Sequence, residues 1–330
     1  MIRRSGRCAF PRVAAALFSL LLPLAASAAT RAVTISGLGT ATFPTSTHSV
    51  TAQQDFMRGL LLLHLFEYPH AAEAFVAAQQ ADPSFAMAYW GEAMTFNHPV
   101  WNQVDVRAGQ AALAKFAPSP EARAAHIADP RERAWMAAVE ILYTGAGTKA
   151  KRDAHYLDAM QKLSQRYPHD DEARLFYALA LLGRSEGVRD VPTYLKAAAL
   201  AKQVFARNPQ QPGAAHYWIH GMDDPQHAAG ALVAARALSK IAPDAAHAQH
   251  MCSHIFLALG MWADVVQANI AATSVTNRQA VADSRPPVRC GHYNYWLEYG
   301  LIQQGRISEA EKVLAGCHED AHAAQLNAAS

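Results

Sequence analysis

Several features that would announce a function are missing or scarce in this chain. Its 29 basic and 27 acidic residues nearly cancel, to a formal charge of +2. No basic patch with interleaved aromatics stands out, which argues against a nucleic-acid partner. Cysteine is rare, four residues in 330, and none falls in a CxxC or CxxCH arrangement. A thioredoxin-like dithiol and an attached haem therefore lose support. Alternating Val/Ile/Thr stretches are absent beyond Arg31 to Thr42, so no sheet of useful size is expected. No segment after the first thirty residues is apolar for long enough to cross a bilayer.

The N-terminus is of a different kind. Arg3, Arg4, Arg7 and Arg12 precede an apolar run from Val13 to Ala26, which ends in Ala26-Ser27-Ala28. A basic start, a short apolar core and a small-x-small end make a secretory signal peptide over residues 1–28. The run is too short for a membrane span and Pro23 interrupts it. Losing its four arginines leaves 25 basic against 27 acidic residues, a charge of −2. The mature protein is thus expected in the periplasm or outside the cell, with no transmembrane segment. Cys252, Cys290 and Cys317 remain after processing. Cys290 and Cys317 flank the last expected helical hairpin, whose ends should lie close, and are candidates for a disulfide.

What is abundant is alanine, together with apolar residues at helical spacing. The chain reads as all-α, with residues 29–46 as an extended lead-in and 322–330 as a flexible tail. Between them, Gly59, Ala71, Phe75, Ala78 and Pro83 fall 12, 4, 3 and 5 residues apart. That is the tetratricopeptide (TPR) pattern: small residues where paired helices touch, an aromatic in the gap, a proline closing the unit. Gly260/Val265/Ala272 and Leu297/Gly305/Ala310/Leu314 repeat it imperfectly. The expectation is a TPR-like α-solenoid of about seven helical hairpins, fourteen helices, over residues 47–321. Such an array presents a concave groove, which suits a peptide or a partner protein.

Histidine is the second excess, at sixteen residues. In "HAQHMCSHIF", at about 100° per residue, His247, His250 and His254 project at about 0°, 300° and 340°. They form one stripe, and Cys252 points away from it. In "HYWIHGMDDPQH", His216 and His220 are four apart on one helix face, and Asp223 continues that face. Histidines at i and i+4 hold two imidazoles within reach of one ion. The two stripes fall on alternate helices, which line the same wall of a hairpin array. His292, in "CGHYNYW", and His98, in "FNHPVW", could join them.

The candidate ligands are therefore His216, His220, His247, His250, His254, His292 and His98. Asp223, Tyr217 and Tyr293 are candidates to orient them or to move protons, and Asp224, Glu172 and Glu298 are further acidic neighbours. Imidazole donors suit Zn, Cu or Fe, and Met222 and Met251 nearby admit copper. A hydrogen-bonded histidine network without metal is the competing arrangement.

"NPQQPGAAHYWIHGMDDPQHA", "IAPDAAHAQHMCSHIFLALGMW" and "NHPVW" resemble a family of exported bacterial TPR proteins with PGAAHYxIH and HAxHMxSHIF motifs. The resemblance runs from about Asp55 to Glu311. It implies a TPR-like solenoid with recurring histidines at His216, His220, His247, His250, His254 and His292, but no particular reaction. Cys252 stands where the family pattern has proline, and Gln211 where it often has histidine. Three functions remain open: a metal-dependent enzyme, a periplasmic TPR scaffold with structural histidines, and a metal store or carrier.

Overall fold

The structure is a computed structural model that describes residues 1–2, 32–184 and 188–329. The expected signal segment lies almost wholly outside the described residues. From residue 32 on, the chain opens with a two-stranded antiparallel hairpin. β1 (Val33–Ile35) pairs with β2 (Gly39–Ala41), Val33 opposite Ala41 and Ile35 opposite Gly39.

Helices follow almost without interruption. They are α1 (Val50–His64), α2 (Tyr68–Ala81) and α3 (Ala86–Met94), then a small ladder of β3 (Asn97–His98) with β4 (Gln103–Val104). Next come α4 (Val106–Ala114), α5 (Pro120–His126), α6 (Pro130–Thr144), α7 (Lys149–Arg166) and α8 (Asp171–Gly183). The chain finishes with α9 (Val191–Arg207), α10 (Pro212–Gly221), α11 (Leu232–Ile241), α12 (Ala246–Ala258), α13 (Trp262–Ala282), α14 (His292–Gln303) and α15 (Ile307–Ala329). The described residues thus hold fifteen α-helices rather than fourteen, the addition being the seven-residue α5. Nor is the C-terminus a loose tail, since α15 continues to Ala329. Its last residues are mostly Ala, Gln and Leu, which favour helix where nothing opposes it.

Local sequence explains most helix starts. Ser49, Asp105, Ser119, Asp129, Thr148 and Asp170 each accept a backbone N–H in the first turn with their side chains. Prolines in the first turns of α2, α5, α6, α9 and α10 lack an N–H that the helix could not have satisfied anyway. Consecutive helices pack on one another, and α8 with α10 and α10 with α12 also meet across their intervening helices. At α1–α3 the contact is very close. A Cβ on Gly59 or Gly91 would stand 2.8 or 2.3 Å from the Phe75 ring, so both positions require glycine.

The inner faces do not bound an open groove along their whole length. Trp90, Trp135 and Phe176, from α3, α6 and α8, pack with ring centroids 5.2–5.3 Å apart and are essentially inaccessible. Phe43 of the lead-in inserts against Phe56, Trp90 and Trp135 at 5.1–5.9 Å. The lead-in is held there by main-chain bonds. Thr40 N–H donates to the Gln210 carbonyl (2.8 Å) and Asp244 N–H to that of Gly37 (3.2 Å).

One hydrophobic core runs from Leu38 to Val265. The last hairpin has a separate, much smaller one built on Val266, Leu297, Leu301 and Ala310. Cys290 and Cys317 are disulfide-bonded across it, 27 residues apart in sequence.

Candidate metal centre

Helix α10 carries His216 and His220, and α12 carries His247, His250 and His254. His292 is the first residue of α14. Their packing sorts the six into two groups of three: His216, His220 and His247, then His250, His254 and His292. In each, one nitrogen per residue lies within 4.8 Å of the other two. His247 therefore leaves the stripe it shares with His250 and His254 in sequence and turns toward α10.

The first triad is the more enclosed, its members at most 9% exposed. His216 Nδ1–H donates to the His64 carbonyl at 2.7 Å, which leaves Nε2 with its lone pair. That Nε2 stands 3.1 Å from His220 Nε2. His247 Nε2 is buried and has no hydrogen-bond partner, an expensive state for a polar nitrogen. Phe66 closes the apolar side, its ring 4.4 Å from that of His216 and 5.4 Å from that of His247. It sits at φ 59°, a left-handed conformation costly for a bulky aromatic and held here by its packing.

Behind this triad lies a dry polar network. His64 Nε2 meets Glu172 Oε2 at 2.6 Å and His64 Nδ1 meets the Tyr217 hydroxyl at 2.9 Å. Gln211 Nε2–H donates to the other Glu172 oxygen at 2.8 Å, while Gln211 Oε1 caps α10. Gln211, which stands where a further ligand might have been, is thus a helix cap and a partner of Glu172. Tyr217 does not reach the triad's open side. Complete burial raises its hydroxyl well above the usual range.

In the second triad, His250 Nδ1–H donates to Asn269 Oδ1 at 2.7 Å. Asn269 is oriented by its own Nδ2–H, which donates to the Val265 carbonyl at 2.8 Å. His254 Nδ1–H donates to Asp223 Oδ2 at 2.7 Å. Both rings therefore turn Nε2 inward, 3.1 Å apart, and His292 Nε2 approaches His250 Nε2 at 2.9 Å. Nitrogens sharing an ion at about 2.0–2.1 Å stand about 3–3.5 Å from one another. Between His250 and His254, whose Nδ1 atoms both carry the hydrogen, two Nε2 lone pairs face each other and repel unless a cation, proton or metal, lies between them. Neutral His220 and His292, by contrast, can donate Nε2–H to His216 and His250.

Burial disfavours the proton. It pushes His216 and His250 each down to about 3, helped for His250 by the neighbouring His254. His220 and His247 go well below the usual range for the same reason, then by mutual repulsion, and His292 is lowered more mildly. Burial thus favours the neutral form of these five rings, and the two triads can each hold a metal ion.

Five of the six histidines, all but His216, line one cavity of about 500 Å³, together with Asp223, Tyr293, Trp101 and Arg189. The Tyr293 ring is tilted against that of His250, centroids 4.9 Å apart, and burial raises its hydroxyl. Each three-coordinate site would keep a position open toward this space.

The other sequence candidates fall elsewhere. His98 belongs to neither triad. Its Nε2–H donates to the Thr95 carbonyl at 2.9 Å and its ring stacks on Tyr68 at 3.9 Å. The β3–β4 ladder fixes the backbone there and turns the ring away. Asp224 binds His227 and Arg189, the latter capping the end of α10. Glu298 is half-buried on α14, and neither triad includes it. Cys252 is buried and its thiol donates to the Ala248 carbonyl at 3.3 Å.

Three residues of the centre had not been read from the sequence: His64, Asn269 and Glu67. Glu67 Oε1 accepts the His247 N–H at 3.0 Å, across 180 residues of chain. The one signal for His64 is its place at the end of "LLLLH", where a polar ring must be buried. Two short strings in the chain are familiar from hydrolases. The HEDAH string at His318–His322 is exposed on α15, and its Glu319 pairs with Arg289. The GRSEG string over 183–187 starts at the end of helix α8 and runs outside the described residues. A nucleophile elbow follows a strand instead.

No protein-family model matches this chain, and no curated protein does.

Proposed function

We propose that the protein is an exported, TPR-like metalloprotein that binds two transition-metal ions, one per histidine triad, and uses them for metal-dependent catalysis on a small molecule. The observation that carries this reading is the double convergence of Nε2 atoms, with the Nδ1 of His216, His250 and His254 each committed to a fixed acceptor. Outer hydrogen bonds of this kind set the tautomer and aim of metal-ligating histidines. A store needs no open coordination position, whereas both triads border a cavity large enough for a small substrate. A bound ion there would act as a Lewis acid or activate water or oxygen.

Two observations support export: the basic-apolar-small start of the chain, and the Cys290–Cys317 disulfide, which suits an oxidising compartment. The Gly59–Phe75–Gly91 contact and the succession of paired helices support the TPR-like reading.

Elemental analysis after repletion with zinc, copper or iron tests the proposal. The purified mature protein should hold two ions per chain, and a His250→Ala/His254→Ala variant one. A protein that stays metal-free in all three repletions would overturn it.

A further inference from the structure

Building on the two-ion reading above, we propose that the triads are halves of one coupled dicopper centre whose exchangeable ligand is dioxygen. The halves are joined by α12, which gives His247 to one triad and His250 and His254 to the other. Across the boundary the His247 and His250 rings lie 6.2 Å apart and those of His220 and His254 6.5 Å. Both triads open on the same cavity, so one small ligand in it meets both ions.

The donor chemistry selects the metal. All six candidate ligands are imidazoles, and Asp223, the carboxylate at hand, is engaged by His254 Nδ1–H. Two divalent ions would bring four positive charges into a site whose nearest carboxylates are Asp223 and Glu67. Two Cu(I) ions bring two. Zinc and non-haem iron sites recruit carboxylates more readily, while imidazole and thioether suit copper, and Met251 lines the same cavity. On binding, each Cu(I) gives one electron to dioxygen, which is held, two electrons reduced, between two Cu(II). On release both electrons return, so the cycle needs no other oxidant or reductant.

The test uses the full mature protein, stripped of metal, loaded anaerobically with two equivalents of Cu(I) and then exposed to air. Copper content should remain two per chain while most of the Cu(II) EPR intensity is missing, because the paired spins couple through the bridge. His216→Ala/His220→Ala should hold one copper and give its full one-spin signal. His292→Ala, at the most exposed of the six positions, should likewise restore an uncoupled signal without disturbing the core. Two copper ions with full two-spin intensity, or zinc displacing copper from both sites in equimolar competition, would overturn the coupled centre while leaving the two-ion reading intact. Failure to bind any metal overturns both.

Discussion

The two triads use the same residue type and share a helix, yet they are built to different standards. His216, His220 and His247 sit inside the main core, backed by the buried Glu172–His64–Tyr217 network and walled by Phe66. His250, His254 and His292 straddle its edge. Their third member belongs to α14, which rests on a four-residue satellite core and a disulfide. The difference teaches that ligand identity alone does not set the rigidity of a site; what lies behind each ring does. An enclosed triad is suited to holding its ion tightly, and an edge triad to exchanging ligands.

This contrast can be broken from either side. The largest effect should come from Glu172→Ala, which strips the carboxylate from a fully buried His64 and takes the acceptor from Gln211 Nε2–H. Breaking such a pair costs about 3–5 kcal/mol, read as a lower urea midpoint, and the loss of ion should be confined to the first triad. A second-triad loss alone would refute the assignment of this network. Cys290→Ser/Cys317→Ser opens a 27-residue span, for which chain entropy gives about 3–4 kcal/mol. Here the second triad should release its ion while the first keeps it, as followed by elemental analysis after dialysis.

Smaller still should be Asn269→Ala. It removes the acceptor of His250 Nδ1–H, at about 1–3 kcal/mol in stability and about 10–100-fold in affinity at the second site. Asp223→Asn leaves His254 Nδ1–H only a neutral, weaker acceptor, at a more exposed position, and should fall at the lower end of that affinity range. A competition titration against a chelator distinguishes the two.

pH sharpens the comparison without mutation. In the metal-free protein, His216 and His250 titrate near 3 when folded against about 6.5 when unfolded. Between those values the unfolded chain binds the extra protons, so stability must fall as pH drops below about 6.5. The urea midpoint of metal-free protein should decline from pH 7.5 to pH 5. A flat profile would mean that these rings are not buried neutral.

Much of this was legible in the chain. Alanine-rich helical spacing announced an all-α protein, and Gly59, Ala71, Phe75 and Ala78 at their spacing announced a close helix pair. The i,i+4 histidines marked the faces on which α10 and α12 meet, because helix geometry puts such pairs on one side whatever the surroundings. Glu172 stood among the acidic candidates. The contacts of His98 with Thr95 and Tyr68 could not be read, because sequence proximity to an aromatic loop does not reveal which way the backbone aims a ring. His64 and Glu67 were invisible for another reason: their partners, Glu172 and the His247 N–H, lie 108 and 180 residues away. No local pattern records such a pairing.

By itself, then, the sequence determined the helices, the ligand type and the two stripes, since these follow from spacing and side-chain chemistry. The tertiary structure alone decided that His247 groups with His216 and His220, that His292 completes the other triad, and that Phe43 of the lead-in packs on Phe56, Trp90 and Trp135. Those outcomes depend on how helices cross and which apolar faces they bury together, which no single segment encodes.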